Sequence, residues 1–135
     1  GGVKFLDAIL KPHVCYFQAI KGLYEDSGLH GMAHITGSGI RGNLERVIPQ
    51  NLHAVIDLPR IKILPVFTII RDAGNVSDEE MLRTYNMGVG LTLVVSANAA
   101  ARIIKHIEDA GHRCYEIGSI HKGGQGVKHA GHLLW

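Results

Sequence analysis

Glycine gathers at three points of this chain, and that clustering limits the possible folds more than any other feature. Seventeen of the 135 residues are glycine, about 13% where an average chain carries about 7%. Many sit in the runs Gly37-Ser38-Gly39-Ile40-Arg41-Gly42, Gly88-Val89-Gly90 and Gly123-Gly124-Gln125-Gly126. No collagen period or Gly/Ser linker accounts for them. Glycine loses more conformational freedom on folding than any other residue, so such clusters mark turns at positive φ or places where something approaches the backbone closely.

Between the clusters, helical and strand patterns alternate. Val14, Phe17, Ile20, Leu23 and Tyr24 recur at helical spacing and predict a helix from Val14 to about Asp26, stopped by Ser27-Gly28. Residues 5–12 read as a lead-in ended by Pro12. Strands are expected at Leu29–Thr36 and Leu52–Asp57, with a short helix from Arg41 to Val47 between them. Leu64-Pro65 opens a helix running to Ala73 with Gly74 as its stop. Ser77-Asp78-Glu79-Glu80 is a capping-box sequence that starts a two-turn helix ending near Arg83. The dense aliphatic run from Met87 to Ser96 predicts a buried strand. Ala97–Ala110 is an amphipathic helix closed by Gly111, and strands at His112–Ile120 and Val127–Leu134 flank the Gly123–Gly126 turn. This alternation predicts one domain over residues 1–135, with helices packed on a single sheet of about five strands.

Composition excludes several classes. Charged residues make up 19% and apolar residues 46%, the reverse of a disordered chain. No apolar run approaches the roughly 20 residues of a membrane span, and no secretion signal is visible. Fourteen basic against twelve acidic side chains leave a net charge of +2 with no basic stripe, so nucleic acid is not an expected partner. Cys15 and Cys114 lack a CxxC partner and read as free thiols of a reducing compartment. The start at Gly1-Gly2-Val3, without an initiator Met, is expected of a processed piece of a longer protein.

The sharpest local signal follows the strand Met32-Ala33-His34-Ile35-Thr36. Gly37-x-Gly39-x-x-Gly42, with Asp57 twenty residues beyond Gly37, matches a dinucleotide-binding fingerprint letter for letter. Only nine residues separate Gly42 from Leu52, and Pro49 shortens even that, so the full crossover helix of a dinucleotide fold has no room. A more general reading remains. Gly37, Ser38 and Gly39 can present backbone N–H groups to an anion, with hydroxyls from Thr36 and Ser38. Asn43 and Arg46 follow at an i, i+3 spacing on one face. The plainer alternative is that these glycines merely turn a strand into a helix. His34, sharing a face with Met32 and Thr36, either serves that site as hydrogen-bond partner and proton carrier or is an ordinary strand residue.

A second candidate is Arg83-Thr84-Tyr85-Asn86-Met87-Gly88-Val89-Gly90, where Arg83, Asn86, Gly88 and Gly90 can meet a polar ligand. Here too the alternative is a connection whose glycines relieve crowding. The histidines form no metal set: His129 and His132 point to opposite faces of a strand, and His30 and His34 stand about 13 Å apart along one. No metal held by this chain alone is expected.

Taken in order, His34-Ile35-Thr36-Gly37-Ser38-Gly39, Asn43, Arg46-Val47, Pro49, Ala54-Val55-Ile56-Asp57, Pro65-Val66-Phe67, Gly74-Asn75-Val76-Ser77, Glu80-Met81, Arg83 to Gly90 and Ile117-Gly118 carry a resemblance. They resemble the C-terminal domain of the aminoimidazole ribonucleotide synthetase (phosphoribosylformylglycinamidine cyclo-ligase) family of purine biosynthesis, from about Leu6 to Gly118. The resemblance implies an α+β fold, a three-layer α/β/α sandwich around a mixed sheet that is partly ferredoxin-like.

It further implies the C-terminal half of a cytoplasmic, homodimeric ligase that uses ATP and Mg2+. Formylglycinamidine ribonucleotide would become aminoimidazole ribonucleotide, ADP and phosphate. The nucleotide and metal sites would lie mainly in an N-terminal domain absent from this chain, leaving the isolated domain inactive. His34 would be the catalytic or substrate-contacting histidine. Thr36, Gly37, Ser38, Gly39 and Asn43 would form the phosphate-binding turn, supported by Arg46, Arg83, Asn86, Gly88 and Gly90. Three positions depart from the family pattern: Ser38 replaces a usual third glycine, Gly42 a common Glu and Met87 a common Cys. The alternative in kind is a non-catalytic module of the same superfamily that binds a phosphorylated metabolite. Residues 122–135 have no firm counterpart and read as a tail or a divergent final strand.

Overall fold

The computed structural model describes residues 4–135, so the Gly1-Gly2-Val3 start lies outside the described residues. Helices α1 (Phe5–Ile9) and α2 (Phe17–Ile20) lead through a 3₁₀ turn at Lys21–Leu23 into strand β1 (Leu29–His34). There follow α3 (Gly39–Leu44), β2 (Leu52–Asp57), a 3₁₀ turn at Leu58–Arg60, α4 (Pro65–Gly74) and α5 (Asp78–Thr84). Strand β3 (Leu91–Val95), α6 (Ala97–Asp109), β4 (Gly118–Lys122) and β5 (Gly126–Ala130) complete the α+β fold.

The five strands form two sheets rather than the single sheet expected from sequence. β1 and β3 pair antiparallel, with His34 opposite Leu91. The other sheet is mixed: β2 lies at its centre, antiparallel to β4 and parallel to β5. The reason is occupancy of edges. Both hydrogen-bonding edges of β2 are taken by strands from the last third of the chain, so neither remains for β1 or β3.

Side chains of the β1–β3 pair face two apolar cores, and the register irregularity between Leu29 and Gly31 breaks the alternation so that Leu29 sits on the side opposite Ala33 and Ile35. Ala33 and Ile35 join Ile40 and Leu44 of α3, Met81 of α5, Ala54 and Ile56 of β2, and Val127 of β5. On the other side Leu29, Leu93 and Val95 meet Ala19 of α2, Leu23 of the 3₁₀ turn after it, and Ala99, Ile103 and Ile107 of α6. The α6 residues recur at i, i+4, the stripe expected of a helix with one buried face. Each fully buried aliphatic side chain contributes about 1.5–3 kcal/mol.

Other departures from the sequence reading have local causes. The helix expected over Val14–Asp26 is reduced to α2 and one 3₁₀ turn. Gly22 lies inside that span, and Val14, Phe17 and Tyr24 stay exposed, so a longer helix would bury little. The expected strand from Met87 shortens to β3 because Met87 (φ 56°) and Gly88 (φ 102°) leave the extended region. Asn75, not Gly74, takes the left-handed C-cap of α4 at φ 47°. Ser77 caps α5 as expected, its Oγ accepting from the Glu80 N–H at 3.3 Å.

Residues 122–135 are part of the fold: Val127 and Leu133 are buried, and the Trp135 indole N–H donates to Asp78 at 3.0 Å. The Arg71 guanidinium lies over the Trp135 ring, 4.0 Å from its centre. Cys15 and Cys114 are free, and burial pushes the Cys114 thiol up. Among the described residues no helix is long and apolar enough to cross a membrane.

Candidate functional site

β1 ends at His34, and the chain turns through Thr36-Gly37-Ser38 into α3. Ile35, between them, is fully buried and its N–H donates to the Gly90 carbonyl at 2.9 Å. That anchor leaves His34, Thr36, Gly37 and Ser38 exposed at the rim. A Cβ at Gly37 would meet nothing within 4 Å, so the main chain there is open to an approaching group.

The inner side of the same turn is filled. Ser38 (φ 76°) and Gly39 (φ 61°) are both left-handed. A Cβ at Gly39 would overlap the Leu82 carbonyl and come within 3.2 Å of the Tyr85 carbonyl. Asn43 is buried beneath the turn, where its amide donates to the carbonyls of Gly37 and Gly39, each at 2.8 Å. Both its N–H donors are thus spent on holding the turn's shape. Arg46 lies past the end of α3 and is exposed, so it does not share a surface with Asn43.

The second glycine-rich segment is brought against the first. Its Gly90 receives the Ile35 N–H, and the α5 backbone abuts Gly39. Arg83 is exposed at the end of α5, where its guanidinium pairs with Glu80 at 2.6 Å. The Thr84 hydroxyl and Arg83 together hold the Glu80 carboxyl below its ordinary range. The Asn86 side-chain Oδ1 accepts from the Gly88 N–H at 2.9 Å, a turn brace. A Cβ at Gly88 would stand 2.9 Å from Leu64, and one at Gly90 would overlap the Tyr16 hydroxyl.

Two of the departures noted from sequence compensate one another. A Cβ at Gly42 would lie 2.6 Å from the Cβ of Ser38. A side chain at residue 38 therefore requires its absence at residue 42, and the reverse holds equally.

Sequence reasoning missed the rings around His34. The His13 ring meets it edge-on at 4.8 Å between centres, and Tyr16 does so at 6.2 Å. His112 backs Tyr16 at 5.6 Å. Tyr16 and His112 also line a cleft of about 550 Å³ between β3, α6 and the central strand β2. The signal available was the run Pro12-His13-Val14-Cys15-Tyr16, where helical periodicity places Tyr16 inside a helix starting at Val14 and leaves His13 unassigned. Elsewhere the histidines are dispersed: His30 Nε2 contacts Ser96 Oγ at 2.6 Å, and His53 stacks on His121 at 5.5 Å. Among the described residues no three His, Cys, Asp or Glu side chains gather as metal ligands.

The structure thus sets an exposed imidazole beside an open glycine turn on an α+β domain with a mixed sheet. Residues 2–130 match the family described as AIR synthase related protein, C-terminal domain, and the chain belongs to that family. It is 38% identical over 130 residues to the chloroplastic phosphoribosylformylglycinamidine cyclo-ligase of Arabidopsis thaliana, covering 96% of this chain and 33% of that protein. It is also 38% identical over 125 residues to the phosphoribosylformylglycinamidine cyclo-ligases of Cupriavidus pinatubonensis and Geobacillus kaustophilus, covering 93% of this chain and 36% of each. The chain spans about a third of the length of these curated relatives.

Proposed function

We propose that this chain is the C-terminal part of a phosphoribosylformylglycinamidine cyclo-ligase, acting in the cytoplasm as part of a homodimer. The observation that carries the reading is the exposed ledge of His34, Thr36, Gly37 and Ser38, on a chain of this family. ATP would phosphorylate the formamide oxygen of formylglycinamidine ribonucleotide. A neighbouring nitrogen would then attack that carbon, lose a proton and expel phosphate, closing the aminoimidazole ring.

Such a reaction asks for positioning and for donors around the transferred phosphoryl more than for covalent help. The ledge supplies hydroxyls from Thr36 and Ser38 and an uncovered main chain at Gly37. His34 would hydrogen-bond the reacting amide or carry the proton that the ring nitrogen gives up. Arg46 and Arg83 add exposed positive charge, the latter already shared with Glu80. Gly39, Asn43, Asn86, Gly88 and Gly90 keep these parts in place.

Magnesium, when bound, neutralises charge on the transferring phosphoryl. The described residues gather no three acidic or imidazole ligands, so they fit a role beside the metal rather than around it. In this reading ATP and Mg2+ are held mainly by an N-terminal domain outside this chain.

The test is complementation. The 135-residue chain alone is expected to give no ATP-dependent product. Co-expression with the N-terminal domain of a related cyclo-ligase should form a complex and restore turnover. A complex that binds phosphoribosyl compounds without turnover would favour a binding module, and product from the chain alone would contradict the two-part enzyme.

A further inference from the structure

We propose that Tyr16 is a positioning residue for His34, its ring fixing the imidazole over the open turn and Gly90 existing to admit it. The inference rests on the reading above only in taking His34 as the working imidazole. Three observations carry it.

The Tyr16 ring stands edge-on to His34 at 6.2 Å, with the planes inclined by 71°. Its hydroxyl lies against Gly90, the residue before β3, where any Cβ would overlap it. His112 packs against the same ring, with centres 5.6 Å apart. Tyr16 is thus wedged between β3 and the segment after α6, while His34 has no hydrogen bond to a described residue that would orient it. Packing must do so instead. From the same loop His13 also meets His34 edge-on, at 4.8 Å between centres. Aromatic pairs prefer such edge-to-face contacts at centre separations of about 4.5–7 Å.

Positioning and substrate binding make different predictions. In the full-length protein that carries this chain, Tyr16→Ala should lower kcat about tenfold to a hundredfold with KM held within about twofold, since misplacing a reactive group costs rate rather than affinity. Gly90→Ala should do the same by expelling the tyrosine hydroxyl. Gly90→Ala combined with Tyr16→Phe should recover about tenfold over Gly90→Ala alone, because the second change removes the overlapping oxygen. With histidines labelled at 13Cε1, the His34 resonance should move in Tyr16→Ala and Gly90→Ala and return in the double variant.

Wild-type kcat and an unmoved His34 resonance in Tyr16→Ala would overturn the proposal. So would a rise in KM alone, which would make Tyr16 a substrate contact. If the wild-type protein shows no cyclo-ligase turnover, the functional reading fails and the resonance decides this proposal by itself. Should Gly90→Ala not fold, Tyr16→Leu, which keeps bulk without an aromatic edge, is expected to move kcat and the resonance in the same directions, and no movement would count against the proposal.

Discussion

The turn at residues 36–39 and the junction at residues 86–90 are written in the same residue types, yet their glycines serve opposite ends. At the turn, Gly37 has nothing near it and faces outward. At the junction a side chain has no room, because Gly88 is pressed by Leu64 and Gly90 by Tyr16. Spacing marks both places equally. What separates Gly37 from Gly88 and Gly90 is the neighbour supplied by distant chain, none at the first and residues 64 and 16 at the others. A glycine cluster therefore shows that the backbone must be bare, and only the tertiary fold shows to what.

The largest effects should come where a glycine is both left-handed and covered. Gly39→Ala and Gly88→Ala each meet backbone strain worth about 1–3 kcal/mol, and overlap with Leu82 or Leu64 adds to it. Urea denaturation should show both variants clearly less stable than wild type, and a stable Gly39→Ala would break the division drawn above. Asn43→Ala comes next. It leaves the Gly37 and Gly39 carbonyls without their amide, at a cost of about 1–3 kcal/mol in the same measurement.

A double-mutant cycle sharpens the comparison within the turn. Gly42→Ala should destabilise the wild-type chain through its clash with Ser38, and much less in a Ser38→Gly background, with a coupling of about 0.5–3 kcal/mol. Additive effects would show that the two departures are unrelated. Gly37→Ala should change stability by no more than about 0.5 kcal/mol. Any loss of turnover it causes in the full-length protein then reports on the ligand rather than on the fold.

The smallest effect lies outside both regions. Asp26 is held down to about 2 by Arg102 and by the Gly28 N–H. A depressed carboxyl stabilises the fold above its unfolded value of about 3.9 and loses that contribution as pH falls toward about 2. The difference in melting temperature between wild type and Asp26→Asn should therefore be full at neutral pH and shrink over that window. A constant difference would contradict the ion pair.

Much of this architecture was legible from local pattern. β2 was placed at its observed ends, α6 followed from Ala99, Ile103 and Ile107 at helical spacing, and the cap at Ser77 from its capping box. The division into two sheets was not, because strand pairing depends on which edges of β2 are already filled. The short α2 misled for a related reason: Val14, Phe17 and Tyr24 keep helical spacing but find no partner to bury them. At the site, His34 and its turn could be read from their order along the chain. Tyr16, His13 and His112 could not, since they arrive from as far as 21 residues upstream and 78 downstream of His34.

His34 either faces a substrate or simply ends a strand, and one substitution separates the two. In the full-length protein that carries this chain, His34→Gln should keep the wild-type melting temperature, because the side chain is exposed. Its kcat for formylglycinamidine ribonucleotide should fall about a hundredfold, the scale of a lost proton-transfer group. Turnover at the wild-type rate would contradict the account.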